Sequence, residues 1–208
     1  MPYAIKEMFY SLQGEGAHAG RAAVFCRFTG CNLWSGRAPD REKAICKFCD
    51  TDFVGADAGN FSDPNDLAAA AMSLWPHAEG GRPLVICTGG EPLLQLDEKL
   101  CAAFHAVGFE VAVETNGTQP RCPGIDWLCV SPKANAPLQV AEGDELKLVF
   151  PQPGVDPQRF VGLAFKHFFL QPMDGDDVAA NTVAATEYCL KHQQWRLGLQ
   201  MHKALGLR

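Results

Sequence analysis

The sequence predicts an α/β fold in which helices cover a parallel β-sheet. Short apolar segments of strand character alternate with helix-like segments along most of the 208 residues, and this alternation is typical of parallel sheets with helical crossovers. Polar residues that could take part in chemistry come directly after five of the predicted strands. Because the carboxyl ends of parallel strands meet at one face of the fold, these segments should converge on a single site.

The strands are predicted from short runs of apolar, β-branched and aromatic residues. In chain order they are residues 3–9, 22–29, 83–88, 109–115, 127–131, 145–150 and 167–171. The second strand leads directly into a cysteine-rich loop.

Three helices are predicted between or after these strands. The first has Ser62 and Asp63 as candidate caps and Pro64 in its first turn, and it continues through residue 75. The second begins near Asp97 and stops at Gly108, since glycine readily adopts the conformation that ends a helix. The third occupies residues 176–194.

The composition indicates one domain. With 22.6 kDa and 47% hydrophobic residues, the chain can bury a sizeable core, and we expect residues 1–208 to form a single unit. Residues 36–44 are polar and charged, and we interpret them as an insertion within the cysteine loop 31–51 rather than as a linker.

Charge and hydropathy exclude several classes of function. The 18 basic and 24 acidic residues give a formal net charge of −6 without a basic stripe. Because nucleic-acid binding needs a concentrated basic surface, small-molecule chemistry is favoured. No apolar run is long enough to span a bilayer, and residues 1–10 lack the features of a secretory signal. A cytoplasmic location is therefore expected.

Five strand-end segments are candidates for the site: residues 27–31, 88–91, 114–117, 131–133 and 171–174. Taken singly, each also has a structural explanation. The Gly-Gly and Asn-Gly pairs are turn sequences, and Pro132 or Pro172 could simply end a strand. Their common placement at strand ends favours a shared function.

Cys31, Cys46 and Cys49 are spaced CX14CX2C, with the aromatic Phe48 directly before the third cysteine. Thiols of cytoplasmic proteins stay reduced, so a metal site is favoured over a disulfide framework. A structural zinc site would need a fourth ligand from outside this loop. Three thiolates can hold a four-iron cluster and leave its fourth iron open for a substrate or cofactor. No chemistry is assigned to the other six cysteines, which lie in apolar or strand-like segments.

The cysteine loop resembles that of the radical S-adenosylmethionine superfamily, whose common form is CX3CX2C with an aromatic residue before the last cysteine. Ser35 stands here where the second cysteine of that form would be, and Cys46 follows eleven residues later. Because loop-closure entropy grows slowly with length, such an insertion need not keep three thiolates apart. TGGEP at residues 88–92 matches the GGE motif of the superfamily.

Further motifs narrow the resemblance to the 7-carboxy-7-deazaguanine synthase family. They are FYSLQGEG (9–16), CRFTGCNLW (26–34), CDT (49–51), TGGEP (88–92), ETNGT (114–118), SPK (131–133), QPMD (171–174) and QMHKALGLR (200–208). The resemblance implies a partial, abbreviated TIM-like parallel β/α barrel, with the cluster-binding loop after an early strand. It also implies a homodimer and an electron donor such as flavodoxin.

The implied reaction converts 6-carboxy-5,6,7,8-tetrahydropterin to 7-carboxy-7-deazaguanine plus ammonia, a step towards queuosine and other deazapurines. A radical derived from S-adenosylmethionine abstracts the hydrogen at C6, the ring contracts and the hydrogen is returned. The implied cofactors are a [4Fe-4S] cluster on the three cysteines, S-adenosylmethionine and Mg2+, for which Thr51 matches the protein ligand. Because the cofactor carries the radical chemistry, no side chain is assigned as catalytic.

The resemblance also assigns the binding residues. The cofactor-binding set is Phe48, Asp50, Gly90, Glu91, Ser131, Pro132, Lys133, Gln171, Pro172, Met173 and Asp174. The substrate-binding set is Leu12, Gln13, Gly14, Glu15, Arg27, Thr88, Glu114 and Arg208. Glu91 would accept hydrogen bonds from the ammonium of the cofactor, Gly90 would allow close approach of the backbone, and Arg27 would pair with the substrate carboxylate. A tail at residues 195–208, with Gln200 and His202, would close the site.

Two other functions remain compatible with parts of the pattern. A radical enzyme that activates a protein partner would share the cysteine loop and the GGE motif, but not the QGEG and CDT sequences. A non-catalytic iron–sulfur or zinc module would leave the polar strand ends unexplained.

Overall fold

The computed structural model describes residues 2–76 and 80–207, and within them nine strands form one sheet. The strands are β1 (Tyr3–Leu12), β2 (Ala22–Phe28), β3 (Gly59–Phe61), β4 (Leu84–Gly89), β5 (Glu110–Thr115), β6 (Trp127–Val130), β7 (Glu142–Phe150), β8 (Ala164–Pro172) and β9 (Trp195–Leu197). The helices are α1 (Pro64–Met72), α2 (Glu98–Ala106), α3 (Val178–Lys191) and α4 (Met201–Leu205). Short 3-10 helices lie at Gly16–His18, Ala38–Lys43, Pro92–Leu94 and Pro157–Phe160. All of the predicted strands and helices are present, with shifted ends.

The sheet has the order β3-β1-β2-β4-β5-β6-β7-β8-β9 and is open. Neighbouring strands are parallel from β2 through to β9, which confirms the expected abbreviated barrel. β1 runs antiparallel to both β2 and β3, whereas the sequence had suggested a parallel sheet throughout. The reason is the short connection at residues 13–21, since a parallel crossover needs a dozen or more residues.

Helices are less frequent than a regular alternation with strands predicts. α2 connects β4 to β5 and α3 connects β8 to β9, but the connections at residues 116–126 and 131–141 contain no helix. These two connections carry the ETNGT and SPK sequences, so loops replace helices beside the candidate site. No helix of the described chain has both the length and the apolar character needed to span a bilayer.

Of the two candidate caps of the first helix, Asp63 is the one that caps it, and Asp97 caps the second helix. The Asp63 side chain accepts a hydrogen bond from the Asn65 amide at the start of α1. The Asp97 side chain accepts from the Leu100 amide and from the Tyr3 hydroxyl, the latter at 2.8 Å. These contacts satisfy amides that have no partner within the first turn of a helix.

Residues of β4 show how the sheet separates its core from the site. Val85 and Cys87 pack into the main core between the sheet and the helices, while Leu84 and Ile86 belong to a second apolar cluster on the opposite face. Thr88 continues that second face and lines a cavity. Because successive side chains point to opposite faces of a strand, the same face changes from apolar to polar along its length.

Candidate active site

A cavity of about 340 Å³ lies at the carboxyl ends of the parallel strands. Its wall contains most of the residues that the sequence predicts for the site. These are Leu12, Gln13, Gly14, Glu15, Arg27, Cys31, Cys46, Phe48, Cys49, Asp50, Thr51, Thr88, Gly90, Glu114, Ser131, Lys133, Gln171, Pro172, Met173 and Asp174. The structure thus brings the five strand-end segments together, while their individual binding roles stay predictions.

Two of the described residues that the sequence predicts for the site are not part of this wall. Glu91 is 0% exposed and lies behind it. Pro132 is also buried, and its carbonyl oxygen accepts a hydrogen bond from Gln152 Nε2 at 3.4 Å. Arg208 lies outside the described residues.

The three cysteines of the loop share the cavity wall but differ in their surroundings. A hydrogen bond from the Cys46 thiol lowers the pKa of Cys49 to about 6, and the same contact raises the pKa of Cys46. Burial raises the pKa of Cys31. Because the thiolate is the form that binds metals, Cys49 is the thiol best prepared for ligation.

The donor set of this loop fits an iron–sulfur cluster. Thiolates are the soft donors that such clusters take, with one cysteine on each ligated iron. No three His, Cys, Asp or Glu side chains in the described parts of the chain converge closely enough to share a single metal ion. A cluster spreads its ligands over several irons, so the separation of the three thiols is compatible with it.

The GGE segment packs directly against the start of the cysteine loop. The Gly90 amide donates to Phe28 O at 3.0 Å, and the Glu91 amide donates to Gly30 O at 2.8 Å. A Cβ atom at Gly90 would lie 1.8 Å from Gly30 O, well inside van der Waals contact. Gly90 therefore permits two backbone segments to touch, which is a different use of glycine from the predicted approach of a cofactor.

The Glu91 carboxylate is occupied by three donors of the chain itself. Oε1 accepts from the Thr115 hydroxyl at 2.7 Å and the Leu93 amide at 3.0 Å, and Oε2 accepts from the Asn116 amide at 2.8 Å. Burial raises its pKa. These contacts make Glu91 a structural link between the GGE and ETNGT segments, and its binding to a cofactor ammonium stays a prediction.

Lys147 lies at the centre of a charged cluster in the cavity wall. We call this cluster the floor, and it also contains Gln13, Glu15 and Glu114. Its Nζ lies 2.5 Å from Glu15 Oε2 and 3.3 Å from Glu114 Oε2, and its side chain is only 7% exposed. Gln13 Nε2 donates to the other oxygen of Glu114 at 2.8 Å. Lys147 is not among the predicted site residues, although a lysine between two leucines of an apolar strand is a signal that could have identified it.

Glu15 stays ionised on this floor. Burial favours the neutral carboxyl, but the charge of Lys147 and hydrogen bonds from Lys147 and Gln200 lower the pKa of Glu15 to about 2. Glu15 Oε1 accepts from Gln171 Nε2 at 3.2 Å and from Gln200 Nε2 at 2.9 Å. Gln171 Oε1 is buried and has no hydrogen-bond partner in the described chain. Such an acceptor is costly to bury unless a ligand or water donates to it.

Arg27 stands on the wall that adjoins the first strand. Its Nε lies 3.2 Å from Glu7 Oε1, close enough for an ion pair, but the two atoms do not meet at a hydrogen-bonding angle. Its guanidinium carbon lies 5.4 Å from the centroid of the Phe9 ring. The guanidinium thus lies beside the cavity without a direct hydrogen bond from Nε.

Lys133 turns back onto its own segment. Its Nζ donates to Ser131 O at 2.6 Å and to Ser131 Oγ at 2.7 Å. Burial lowers its pKa, and the nearby thiols of the cysteine loop oppose that shift. The Lys133 ammonium is therefore hydrogen-bonded within the SPK segment, and Lys133 lines the same cavity as the three cysteines.

The C-terminal segment lies along the rim of the cavity. The Met201 amide donates to Gly14 O at 2.9 Å, and a Cβ atom at Gly14 would lie 2.3 Å from His202 Nδ1. Lys203 Nζ lies 2.7 Å from Asp50 Oδ2 and 2.5 Å from Asp174 Oδ2. Gln200, His202 and Lys203 all line the cavity.

Several other residues of the cavity wall have no predicted binding role. They are Phe9, Phe25, Leu33, Trp34, Phe53, Gly89, Thr115, Asn116, Val149 and Lys203. Most are apolar, or they lie in motifs in which other residues have the predicted binding roles.

Comparison with known proteins finds relatives over the whole chain. The 7-carboxy-7-deazaguanine synthases of Caulobacter vibrioides and Bordetella pertussis are 60% and 61% identical to it, with 100% of both chains covered in each case. That of Bacteroides thetaiotaomicron is 40% identical over 98% of each chain. A crystal structure of QueE from Escherichia coli matches with a TM-score of 0.68 at 26% identity, covering 97% of this chain and 95% of that one. No family model matches.

Proposed function

The chain belongs to the 7-carboxy-7-deazaguanine synthase family, and we propose that it is a radical S-adenosylmethionine lyase that makes 7-carboxy-7-deazaguanine. Its substrate is 6-carboxy-5,6,7,8-tetrahydropterin, and ammonia is the second product, in the biosynthesis of queuosine and other deazapurines. The observation that carries this proposal is one cavity with three thiols, an arginine and a hydrogen-bonding acidic floor in its wall.

The cysteine side of the cavity suits the cofactors. Cys31, Cys46 and Cys49 would hold the [4Fe-4S] cluster, and the wall formed by Phe48, Asp50, Gly90, Ser131, Lys133 and residues 171–174 would hold S-adenosylmethionine. When bound, this pair supplies the one-electron chemistry that removes the C6 hydrogen atom and returns it. Thr51 would be the protein ligand of Mg2+, which prefers oxygen donors and keeps several waters.

The floor suits a pterin. Glu15 and Glu114 can accept hydrogen bonds from the N–H groups of the pterin, and the free Gln171 Oε1 offers one more acceptor. Arg27 can pair with the substrate carboxylate through both guanidinium arms. Lys147 forms ion pairs with both floor carboxylates and holds them in place, so the ring meets acceptors that are already oriented.

We also propose a homodimer, a flavodoxin-like electron donor and a cytoplasmic location. All nine cysteines are free thiols, which suits a reducing compartment. The homodimer and the electron donor follow from membership of the family.

Anaerobic reconstitution followed by turnover tests the proposed function. About four irons per chain are expected, because three cysteines suffice for the cubane, together with conversion of the tetrahydropterin to the deazaguanine that is faster with Mg2+. Cys31→Ala should lose the cluster, whereas Cys189→Ala, on α3 and outside the cavity wall, should keep it. Cofactor cleavage with no pterin conversion and a radical on a protein partner would favour an activase. Zinc without cofactor cleavage would contradict both enzyme functions.

A further inference from the structure

The insertion between Cys31 and Cys46 gives the cysteine loop an internal clamp. The loop has two arms, residues 31–34 and residues 46–49. We propose that Arg41 is a positioning residue that fixes these arms relative to each other, so that the three thiols are held in place for the cluster. The inference rests on the proposed function, because it takes these thiols to be the cluster ligands.

The guanidinium of Arg41 binds the second arm of the loop. Arg41 belongs to the 3-10 helix Ala38–Lys43, and its Nη1 donates to Lys47 O at 2.7 Å and to Cys49 O at 3.1 Å. Both carbonyls lie in the short turn that carries the last two cysteines. Charge-assisted hydrogen bonds to two successive parts of a turn restrict its backbone more than one neutral bond does.

The same guanidinium covers the first arm. Its carbon lies 4.0 Å from the centroid of the Trp34 ring, three residues after Cys31. Trp34 is itself fixed, since its Nε1 donates to Arg37 O at 3.2 Å and its ring meets Phe53 edge to face at 5.6 Å. Arg41 therefore contacts an anchored residue on one side and the CX2C turn on the other.

The other contacts that join the two arms in the described chain reach Cys46 before Cys49 and Phe53 after it, but not the Cys49 carbonyl. The Ile45 and Cys46 amides donate to Leu33 O at 3.0 and 3.4 Å, which joins the arms at the first cysteine of the turn. A loop with three residues between cysteines sets their spacing through the backbone itself. A spacer of fourteen residues has many more conformations to lose, and a side-chain contact that reaches Cys49 O restricts them.

Lysine cannot replace this contact fully. An ammonium can still donate to the two carbonyls, but it lacks the flat guanidinium face that stacks on an indole ring. Lys43 lies in the same 3-10 helix and is exposed, so its removal changes the charge of the insertion equally. Arg41→Ala, Arg41→Lys and Lys43→Ala thus form a matched set.

Two measurements test the proposal, one on each form of the protein. In the metal-free protein, hydrogen exchange of the amides in residues 46–51 should accelerate in Arg41→Ala and not in Lys43→Ala. In the reconstituted protein, iron loss to a ferrous chelator, followed by the absorption of the cluster, should be at least about tenfold faster in Arg41→Ala. Arg41→Lys should lie between Arg41→Ala and the native chain.

Equal exchange rates and equal iron loss in Arg41→Ala and Lys43→Ala would overturn the proposal. If the native chain binds no iron at all, the proposed function fails, and the exchange experiment still decides the role of Arg41. If Arg41→Ala does not fold, as judged by circular dichroism, the comparison of Arg41→Lys with Lys43→Ala decides it in the same way.

Discussion

Lys203 Nζ donates to Asp50 Oδ2 at 2.7 Å, which joins α4 to the residue that follows the third cysteine. The same ammonium reaches Asp174 at the end of the QPMD segment. One cation therefore ties the C-terminal segment to both the cysteine loop and a strand end. The Lys203 side chain is 37% exposed, so salt can screen both ion pairs.

Lys203→Ala should loosen the tail without unfolding the protein. Partly exposed ion pairs are weak, so we expect the KM for the pterin to rise by about three- to fivefold and the melting temperature to change little. The KM of the native enzyme should also rise with salt, while that of the variant should not. Steady-state kinetics at two salt concentrations check this, with Lys99→Ala on α2 as the control. An unchanged KM in Lys203→Ala would show that the tail is held by its backbone contacts alone.

Lys147→Met should destabilise the fold in a pH-dependent way. Removing the cation leaves the buried Glu15 carboxylate without its charged partner, and such a loss typically costs about 3 to 5 kcal/mol at neutral pH. The native pKa of Glu15 is lowered from 4.5 to about 2, so the stabilisation from this pair is complete above pH 4.5 and disappears as the pH falls towards 2.

The free energies of unfolding of the native chain and of Lys147→Met should therefore converge between pH 4.5 and pH 2. Urea titrations at neutral pH and at several points in this window measure the difference. Lys99→Met, at an exposed site, controls for loss of a positive charge. A difference that stays constant down to the lowest pH would contradict the assignment of Glu15 as the partner.

Glu91→Gln should destabilise the protein even without any cofactor. The amide nitrogen of glutamine would face a backbone or hydroxyl donor in a fully buried site, and one unsatisfied buried donor costs about 1 to 3 kcal/mol. Thermal unfolding of the metal-free protein checks this, with Glu98→Gln in the exposed first turn of α2 as the control. Unchanged stability combined with weaker cofactor binding would instead support the predicted contact with the ammonium.

Gly90→Ala should disrupt the contact between the GGE segment and the cysteine loop. The added Cβ meets a backbone carbonyl that cannot rotate away, so a loss of at least about 2 kcal/mol is expected. For a chain of this size, that lowers the melting temperature by roughly 4 to 8 °C. Gly162→Ala, where no heavy atom lies within 4 Å, is the matched control for glycine replacement. Equal melting temperatures in the two variants would contradict the steric argument.

The sequence predicts best those site residues that combine a reactive or charged side chain with a position at the end of a strand. Cys31, Glu114 and Lys133 follow apolar runs, so both their chemistry and their place at one face of the sheet could be inferred. The sequence does not predict Lys147 as a site residue because it lies inside a strand. It faces the cavity only because successive side chains of a strand point to opposite faces. The sequence identifies Arg41 only as part of a polar insertion, because its contacts with both arms of the cysteine loop depend on how the loop folds back.

Parts of the fold that depend on distant contacts were also missed. β3 and β9 have three residues each, too few to show a pattern of their own, and they become strands by pairing with β1 and β8. The antiparallel direction of β1 follows from the length of the connection to β2, which the apolar pattern within each strand does not record.

The open sheet leaves one side of the cavity adjustable. In a closed barrel, the number and stagger of the strands fix the width of the interior. In this chain, the segment after β9 meets the segment after β1 through the Met201 amide and Gly14 O instead of through paired strands. A change in the length or sequence of that segment would therefore alter the size of molecule that fits, while every strand keeps its register.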